Sequence, residues 1–182
     1  MIYVYLADGF EETEMTAPLD LMRRAGLEAK TVSVTGKREV TGSHGITYIA
    51  DMMMNDPEYD IKKAELIMLP GGMPGTLGLE NNESVRSALL YASENNIRIA
   101  AICAAPSVPG KLGLLKGKKA VCYPGFEQYL EGAIDGGSCK CVVDGNFITA
   151  VGMGASVQFG LTIVQELCGS EISEKLKNGI LA

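Results

Sequence analysis

Histidine is almost missing from this chain: among 182 residues there is one, His44. That scarcity argues against chemistry built on imidazole, above all zinc centres, which usually take several nitrogen or sulfur ligands. Cysteine occurs five times, at 103, 122, 139, 141 and 168, but never as C-x-x-C. The odd number and irregular spacing do not make a disulfide framework and predict a reducing, cytoplasmic setting. Long basic runs are absent too, and 16 Lys and Arg against 22 Asp and Glu leave a net charge of −6. This argues against nucleic acid and anionic membrane surfaces as partners. No apolar run approaches the roughly 18 residues of a membrane span. No basic segment or cleavage site precedes Ile2-Tyr3-Val4-Tyr5-Leu6, so no signal peptide is expected. There is no phosphate-cradling P-loop and no metal cluster, and the expectation is an activity without cofactor. Linkers, internal repeats and low-complexity tracts are missing as well, which predicts one domain over residues 1–182.

What is present is an ordinary globular composition, 47% hydrophobic and 21% charged, arranged as alternating strands and helices. The pattern predicts strands at 2–6, 28–34, 65–69 and 98–102, with short Gly-interrupted strand pieces between Val40 and Ile49. It predicts helices at 14–25, closed by Gly26, at 83–94, near 105–114 (with Pro109 and Gly110 distorting it), and at 154–168, closed by Gly169. A short final helix follows. Residues 119–122 read as a short strand, and 138–143 with 147–151 flank the hairpin signal Asp144-Gly145-Asn146. Cys139-Lys140-Cys141 alternates, so on a strand both thiols would share a face, and the pair reads as ordinary strand residues. The sum is an α/β fold with a mostly parallel sheet, helices on both faces and a small β-hairpin. Such folds place their sites at the carboxyl ends of strands, here after Leu6, after Leu69 and at Cys103.

The segment Ile99-Ala100-Ala101-Ile102-Cys103-Ala104-Ala105-Pro106 carries the strongest chemical signal. A short apolar run ends at one cysteine, small residues fit a cramped corner, and Pro suits a first helical turn. This is the cysteine form of the nucleophile elbow. A thiol there should meet free N–H groups and a helix dipole, which predicts a lowered pKa. A cysteine that merely fills the core is the competing reading. Ala7-Asp8-Gly9-Phe10-Glu11-Glu12-Thr13-Glu14 places three carboxylates at a helix start. Dipole complementarity explains Glu11 and Glu12, whereas an acid aimed into the cysteine pocket would have a raised pKa. Pro70-Gly71-Gly72 reads either as a plain strand-ending turn or as a backbone approach whose N–H serves an oxyanion.

Together these three segments resemble the ThiJ/PfpI superfamily, in the branch of the Parkinson's-disease-associated protein deglycase. The likeness extends through Pro18-Leu19-Asp20-Leu21-Met22-Arg23-Arg24-Ala25-Gly26 and the helix around Gly160-Leu161-Thr162-Ile163-Val164, and so spans nearly the whole chain. It implies a flavodoxin-like three-layer sandwich and a homodimer. Cys103 matches the nucleophile and oxidation-sensitive cysteine, Glu14 the acid bonded to it, and Gly72 the backbone donor beside it, with Ala104 giving a second N–H. Implied activities are cofactor-free conversion of methylglyoxal to lactate, protein deglycation, chaperone activity and redox sensing.

The chain departs from the pattern where many relatives carry a His: Cys122-Tyr123-Pro124-Gly125 places Tyr123 there. Tyrosine, with a pKa near 10, is a poor base at neutral pH. Glu14 is therefore the candidate proton carrier, with Tyr123 and Gly71 as pocket residues. Cys122 adjoins the site and reads as a buried strand residue. Ala104 stands where the protease branch has His, and His44, on the loop Gly42-Ser43-His44-Gly45, reads as a surface residue, so peptidase and amidotransferase are disfavoured. The expectation is a glyoxalase- or deglycase-type enzyme acting on a small carbonyl substrate, with a redox-responsive cysteine protein as the alternative.

Overall fold

Strand β1 (Ile2–Leu6) is buried along its whole length, as its unbroken apolar run requires of a central strand covered on both faces. The computed structural model describes all 182 residues. After β1 come α1 (Glu12–Arg24), β2 (Ala29–Ser33), β3 (Glu39–Thr41), β4 (Thr47–Ile49), β5 (Met52–Met53) and β6 (Leu66–Leu69). Then follow α2 (Gly75–Glu80), α3 (Glu83–Glu94), β7 (Arg98–Ile102), α4 (Ser107–Lys111), β8 (Lys119–Ala120) and β9 (Ile134–Asp135). The chain ends with β10 (Cys141–Asp144), β11 (Phe147–Ala150), α5 (Ser156–Cys168) and α6 (Ser170–Gly179). No helix is long and apolar enough to cross a membrane.

Seven strands form one sheet in the order β10-β11-β7-β6-β1-β2-β5. All neighbours run parallel except β10, which returns antiparallel to β11 across the Asp144-Gly145-Asn146 turn. Alternate side chains of β1 serve two cores. Ile2, Val4 and Leu6 pack with Met68, Ala100 and Ile102 against Met15, Leu19 and Met22 of α1 and Phe159 and Ile163 of α5. Tyr3 and Tyr5 pack with Ile67, Leu69 and Ala101 against Leu79 of α2, Leu89 of α3 and Val108 of α4. The result is the flavodoxin-like sandwich with a parallel sheet and a small hairpin. Because β1, β6, β7 and β11 are adjacent and parallel, their carboxyl ends bring the segments after Leu6, Leu69, Ile102 and Ala150 to one edge.

Several boundaries differ from the sequence expectations for local reasons. Helix α1 begins at Glu12 rather than residue 14, because Glu11 serves as its N-cap. Helix α2, which the sequence pattern did not indicate, forms over the Gly-rich stretch 75–80. The helix expected near 105–114 contracts to α4, where Pro109 offers no N–H. Strand β10 starts at Cys141, so exposed Cys139 lies outside it and shares no strand face with Cys141. A turn comes first, in which Asp135 Oδ1 accepts the Gly137 N–H at 2.8 Å.

Helices α1 and α5 approach closely because Gly160 has no side chain. A Cβ there would lie 2.7 Å from Leu21 Cδ1 and 2.8 Å from Pro18 Cα. Alanine normally favours a helix by about 1 kcal/mol over glycine. At this crossing the overlap should reverse that sign, and Gly160→Ala is expected to lose about 1–3 kcal/mol in urea unfolding. An unchanged or raised midpoint would show that the crossing can widen without cost.

Candidate active site

Cys103 directly follows β7 with φ +65°, a left-handed conformation that is unusual for a residue with a Cβ. Its own peptide groups hold it there. The Cys103 N–H donates to the Ala150 carbonyl at 2.9 Å, and its carbonyl accepts the Tyr123 N–H at 2.8 Å. Such strain, about 1–3 kcal/mol, persists only where neighbours over-determine it. The elbow thus exposes the thiol at the strand edge, and Cys103 is partly buried rather than sealed in the core.

Glu14, on the first turn of α1, is fully buried beneath this corner. Its Oε2 accepts the Gly71 N–H at 3.0 Å. Its Oε1 is buried with no backbone or other side-chain donor in reach. The loop and helix interlock around Gly71: the Gly71 carbonyl accepts the Glu11 N–H at 2.9 Å, while Glu11 Oε2 caps the Glu14 N–H at 2.6 Å. Gly71 itself is the spacer between the two reactive side chains. A Cβ on it would stand 2.6 Å from Glu14 Oε2 and 2.7 Å from Cys103 Cβ. Gly72 adopts φ +89°, and a side chain there would strike the Phe10–Glu11 backbone.

Burial lifts the Glu14 carboxyl to about 7, with the Glu11 charge adding to it and bonds from Cys103 and the Gly71 N–H working downward. Burial also raises the Cys103 thiol, helped by the charge and hydrogen bond of Glu14, to about 12. The N–H groups of Ala104 and Gly72 pull the thiol the other way. This corrects the expectation of a lowered thiol pKa. Helix α4 starts only at Ser107 and has five residues, so Cys103 does not sit on a helix N-terminus. Desolvation and the neighbouring carboxyl therefore outweigh the two amides. Neither amide donates elsewhere in the backbone. The pair thus combines a protonated thiol, a carboxyl that changes charge near neutrality, and two free donors at the sulfur.

Tyr123 does reach this corner. A Cβ on Gly152 would stand 3.3 Å from Tyr123 Cδ2 and 3.9 Å from Cys103 Sγ, so the ring and the thiol flank the same glycine. The ring remains half exposed, at 51%. Cys122 is buried, though it lies past the end of β8 rather than within a strand. The structure therefore brings Cys103, Glu14, Gly71, Gly72, Ala104 and Tyr123 together.

His44 goes elsewhere. Its Nδ1 lies 2.9 Å from Glu12 Oε2, and its N–H donates to Glu12 Oε1 at 2.8 Å. Burial alone would raise the Glu12 carboxyl, but these bonds and the Ile46 N–H overcome it and hold it at about 2. Glu12 thus pins the β3–β4 hairpin to α1, a contact beyond the dipole complementarity expected of an acid in a first turn. Only an acid in a first turn and a lone His on a Gly-flanked loop hinted at it. Glu11, Glu12 and His44 offer three ligand atoms within 4.8 Å, the one grouping that could touch a metal. Glu11 Oε2 already caps α1, and both Glu12 oxygens are bonded to the His44 loop.

A model of the DJ-1/PfpI family matches residues 1–166. Protein DJ-1 homolog B of Arabidopsis thaliana is 34% identical over 93% of this chain, which spans only 39% of that protein. Protein dj-1beta of Drosophila melanogaster is 34% identical, with 98% of this chain and 95% of its own covered. A protein named deglycase from Pyrococcus abyssi is 27% identical over 82% of this chain and 88% of its own. Among solved structures, oxidized Toxoplasma gondii DJ-1 superposes with a TM-score of 0.92 at 30% identity, covering 99% of this chain and 97% of the other.

Proposed function

Because the chain belongs to the DJ-1/PfpI family, we propose that it is a cofactor-free, cysteine-dependent enzyme of glyoxalase or deglycase type acting on small dicarbonyls such as methylglyoxal. The observation that carries this reading is the direct pairing of Cys103 with a buried carboxyl whose pKa stands at about 7. A carboxylate poised at working pH is the base that a protonated thiol needs. The relative named a deglycase supports the reaction class.

The mechanism follows from these groups. As the Cys103 sulfur bonds to the aldehyde carbon, its proton passes to the Glu14 carboxylate. The carbonyl oxygen gains charge beside the Ala104 and Gly72 N–H groups, then takes that proton from Glu14 to give a hemithioacetal and restore the carboxylate. Glu14 next carries the proton from the former aldehyde carbon to the adjacent carbon through an enediol, leaving a thioester. Water cleaves the C–S bond, giving lactate and restoring the thiol. The net change is methylglyoxal plus water to lactate, with no external oxidant or reductant. Tyr123, flanking the sulfur, bounds the pocket and can donate a hydrogen bond, while base catalysis falls to Glu14.

The test is lactate production from methylglyoxal by wild type and Cys103→Ala. Saturable turnover that disappears in the variant is expected. Folded, reduced protein with turnover no higher than the variant would remove the glyoxalase reading.

A second reading rests on Glu14 Oε1, a buried oxygen that no backbone N–H serves and that has only the Cys103 thiol to face. Protonated, it would donate to a Cys103 sulfinate, stabilising an oxidised thiol in a redox-responsive protein. We also propose a cytoplasmic homodimer. All five cysteines are free, and Ile46 and Ile49 around the β3–β4 hairpin leave apolar surface for a second copy.

A further inference from the structure

Beside the Cys122-Tyr123 segment lies a cleft lined by neither Cys103 nor Glu14, which the proposed chemistry does not use. It encloses about 300 Å³, the lower end of the range for small-molecule sites. Its walls are apolar, from Ala120, Val121, Leu130, Ala133 and Val151, and the Cys122 thiol lines it while 94% buried. Two carboxylates, Glu127 and Asp135, stand at its exposed rim. Both push the Cys122 thiol upward, after burial, to about 12, so their charge is felt at the floor of the cleft. Neither forms an ion pair with any Lys or Arg, and no basic residue lines the cleft. One oxygen of each is used locally: Glu127 Oε2 accepts the Gly125 N–H at 2.7 Å, and Asp135 Oδ1 accepts the Gly137 N–H at 2.8 Å. Glu127 Oε1 and Asp135 Oδ2 make no protein hydrogen bond.

An apolar pocket of this size beneath two unpaired carboxylates is complementary to one ligand chemistry. We propose that the cleft bounded by Cys122, Leu130, Val151, Glu127 and Asp135 is a binding site for a small organic cation, a primary ammonium on a short apolar body. The alkyl portion fills the space over Cys122 and Val151, and the ammonium sits between the two rim carboxylates. An anionic ligand is repelled, and a neutral one lacks the rim contacts. The site touches the reactive corner without belonging to it. Val151 precedes Gly152, which faces Cys103 Sγ, and the Tyr123 N–H holds the Cys103 carbonyl.

The experiment is a titration of the full chain with n-butylammonium chloride, followed by amide NMR, with n-butanol and matched sodium chloride as controls. Saturable shifts at Cys122, Asp135 and Val151 are expected from the ammonium. The alcohol should bind about 5-fold or more weaker, the worth of an exposed charge contact. Glu127→Gln and Asp135→Asn should each weaken the ammonium a few-fold, roughly the worth of one exposed ion pair, and leave the alcohol unchanged. No saturable shift, equal binding of alcohol and ammonium, or ammonium affinity untouched in the double variant would overturn the proposal. The comparison on wild-type protein needs no variant to fold. Since the readout is binding, its outcome is independent of whether Cys103 turns over a carbonyl.

Discussion

Glu14→Gln is expected to abolish most turnover while making the fold more stable above neutral pH. Loss of a general base typically costs about 10²–10⁴-fold in rate, and here the same group also carries the proton between carbons. The wild-type rate should rise with pH through about 7, since the ionised carboxylate is the active form. Stability runs the other way. The folded carboxyl at about 7 stands above its ordinary value of 4.5. Between those values the folded chain holds a proton that the unfolded chain has released, so stability falls as pH rises across that window and is level beyond it. The full displacement corresponds to about 3 kcal/mol by pH 8. Glutamine, neutral at every pH, escapes this loss and should gain about 1–3 kcal/mol at pH 8 while matching wild type below pH 4.5. Thermal melts from pH 4 to 8 beside lactate assays would show both. The variant should also lower the Cys103 pKa, because the charge and the hydrogen bond that raise it are gone. Faster alkylation at pH 8 reads this directly. A variant that kept wild-type turnover, or lost stability at pH 8, would remove Glu14 as the ionising base.

The corner itself was legible in the sequence because its signals are local. The apolar run, the cysteine and the small residues that follow specify the strand and the sharp turn, and of the turn glycines Gly71 packs against Cys103 while the Gly72 N–H reaches its sulfur. Helix α2 was illegible for the same reason: Gly75 and Gly78 are poor helix formers and give no helical signal, and packing of Leu79 into the core favours the helix. The Glu12–His44 pair spans 32 residues and leaves no periodic trace. The thiol pKa is not legible from the elbow motif, because the motif does not show where the following helix starts. The dipole argument needs a helix that begins at the sulfur, whereas α4 begins four residues later and the carboxyl beneath dominates. Local pattern identified which residues meet, but the charge they carry there depends on burial, which only the assembled fold supplies.

Gly71→Ala should be nearly as damaging to turnover as removal of Glu14, with no change to any reacting group. The added methyl carbon would lie 2.6 Å from Glu14 Oε2, 2.7 Å from Cys103 Cβ and 3.0 Å from the Ile102 carbonyl oxygen. Ordinary contact needs more room than that, so the carboxyl and the elbow must part. Glu14 is fully buried on the first turn of α1 and Cys103 is fixed by backbone hydrogen bonds to Ala150 and Tyr123, so neither can retreat freely. A displacement of about 1 Å in a reacting pair can cost about 10²-fold, and overpacking costs about 1–3 kcal/mol. The expected variant is folded, destabilised by that amount, and at least about 100-fold slower. Gly154→Ala is the matched comparison, because a Cβ there meets nothing within 4 Å and its backbone φ is not left-handed. It should retain wild-type stability and rate. Parting the pair also weakens their mutual influence: the Cys103 pKa should fall from about 12 as the Glu14 charge recedes. A slow variant with a more acidic thiol would show that catalysis depends on the spacing of the pair, because acidity of the sulfur alone would then have made it faster. Wild-type rates in Gly71→Ala would mean that Glu14 and Cys103 do not act on the same substrate atom.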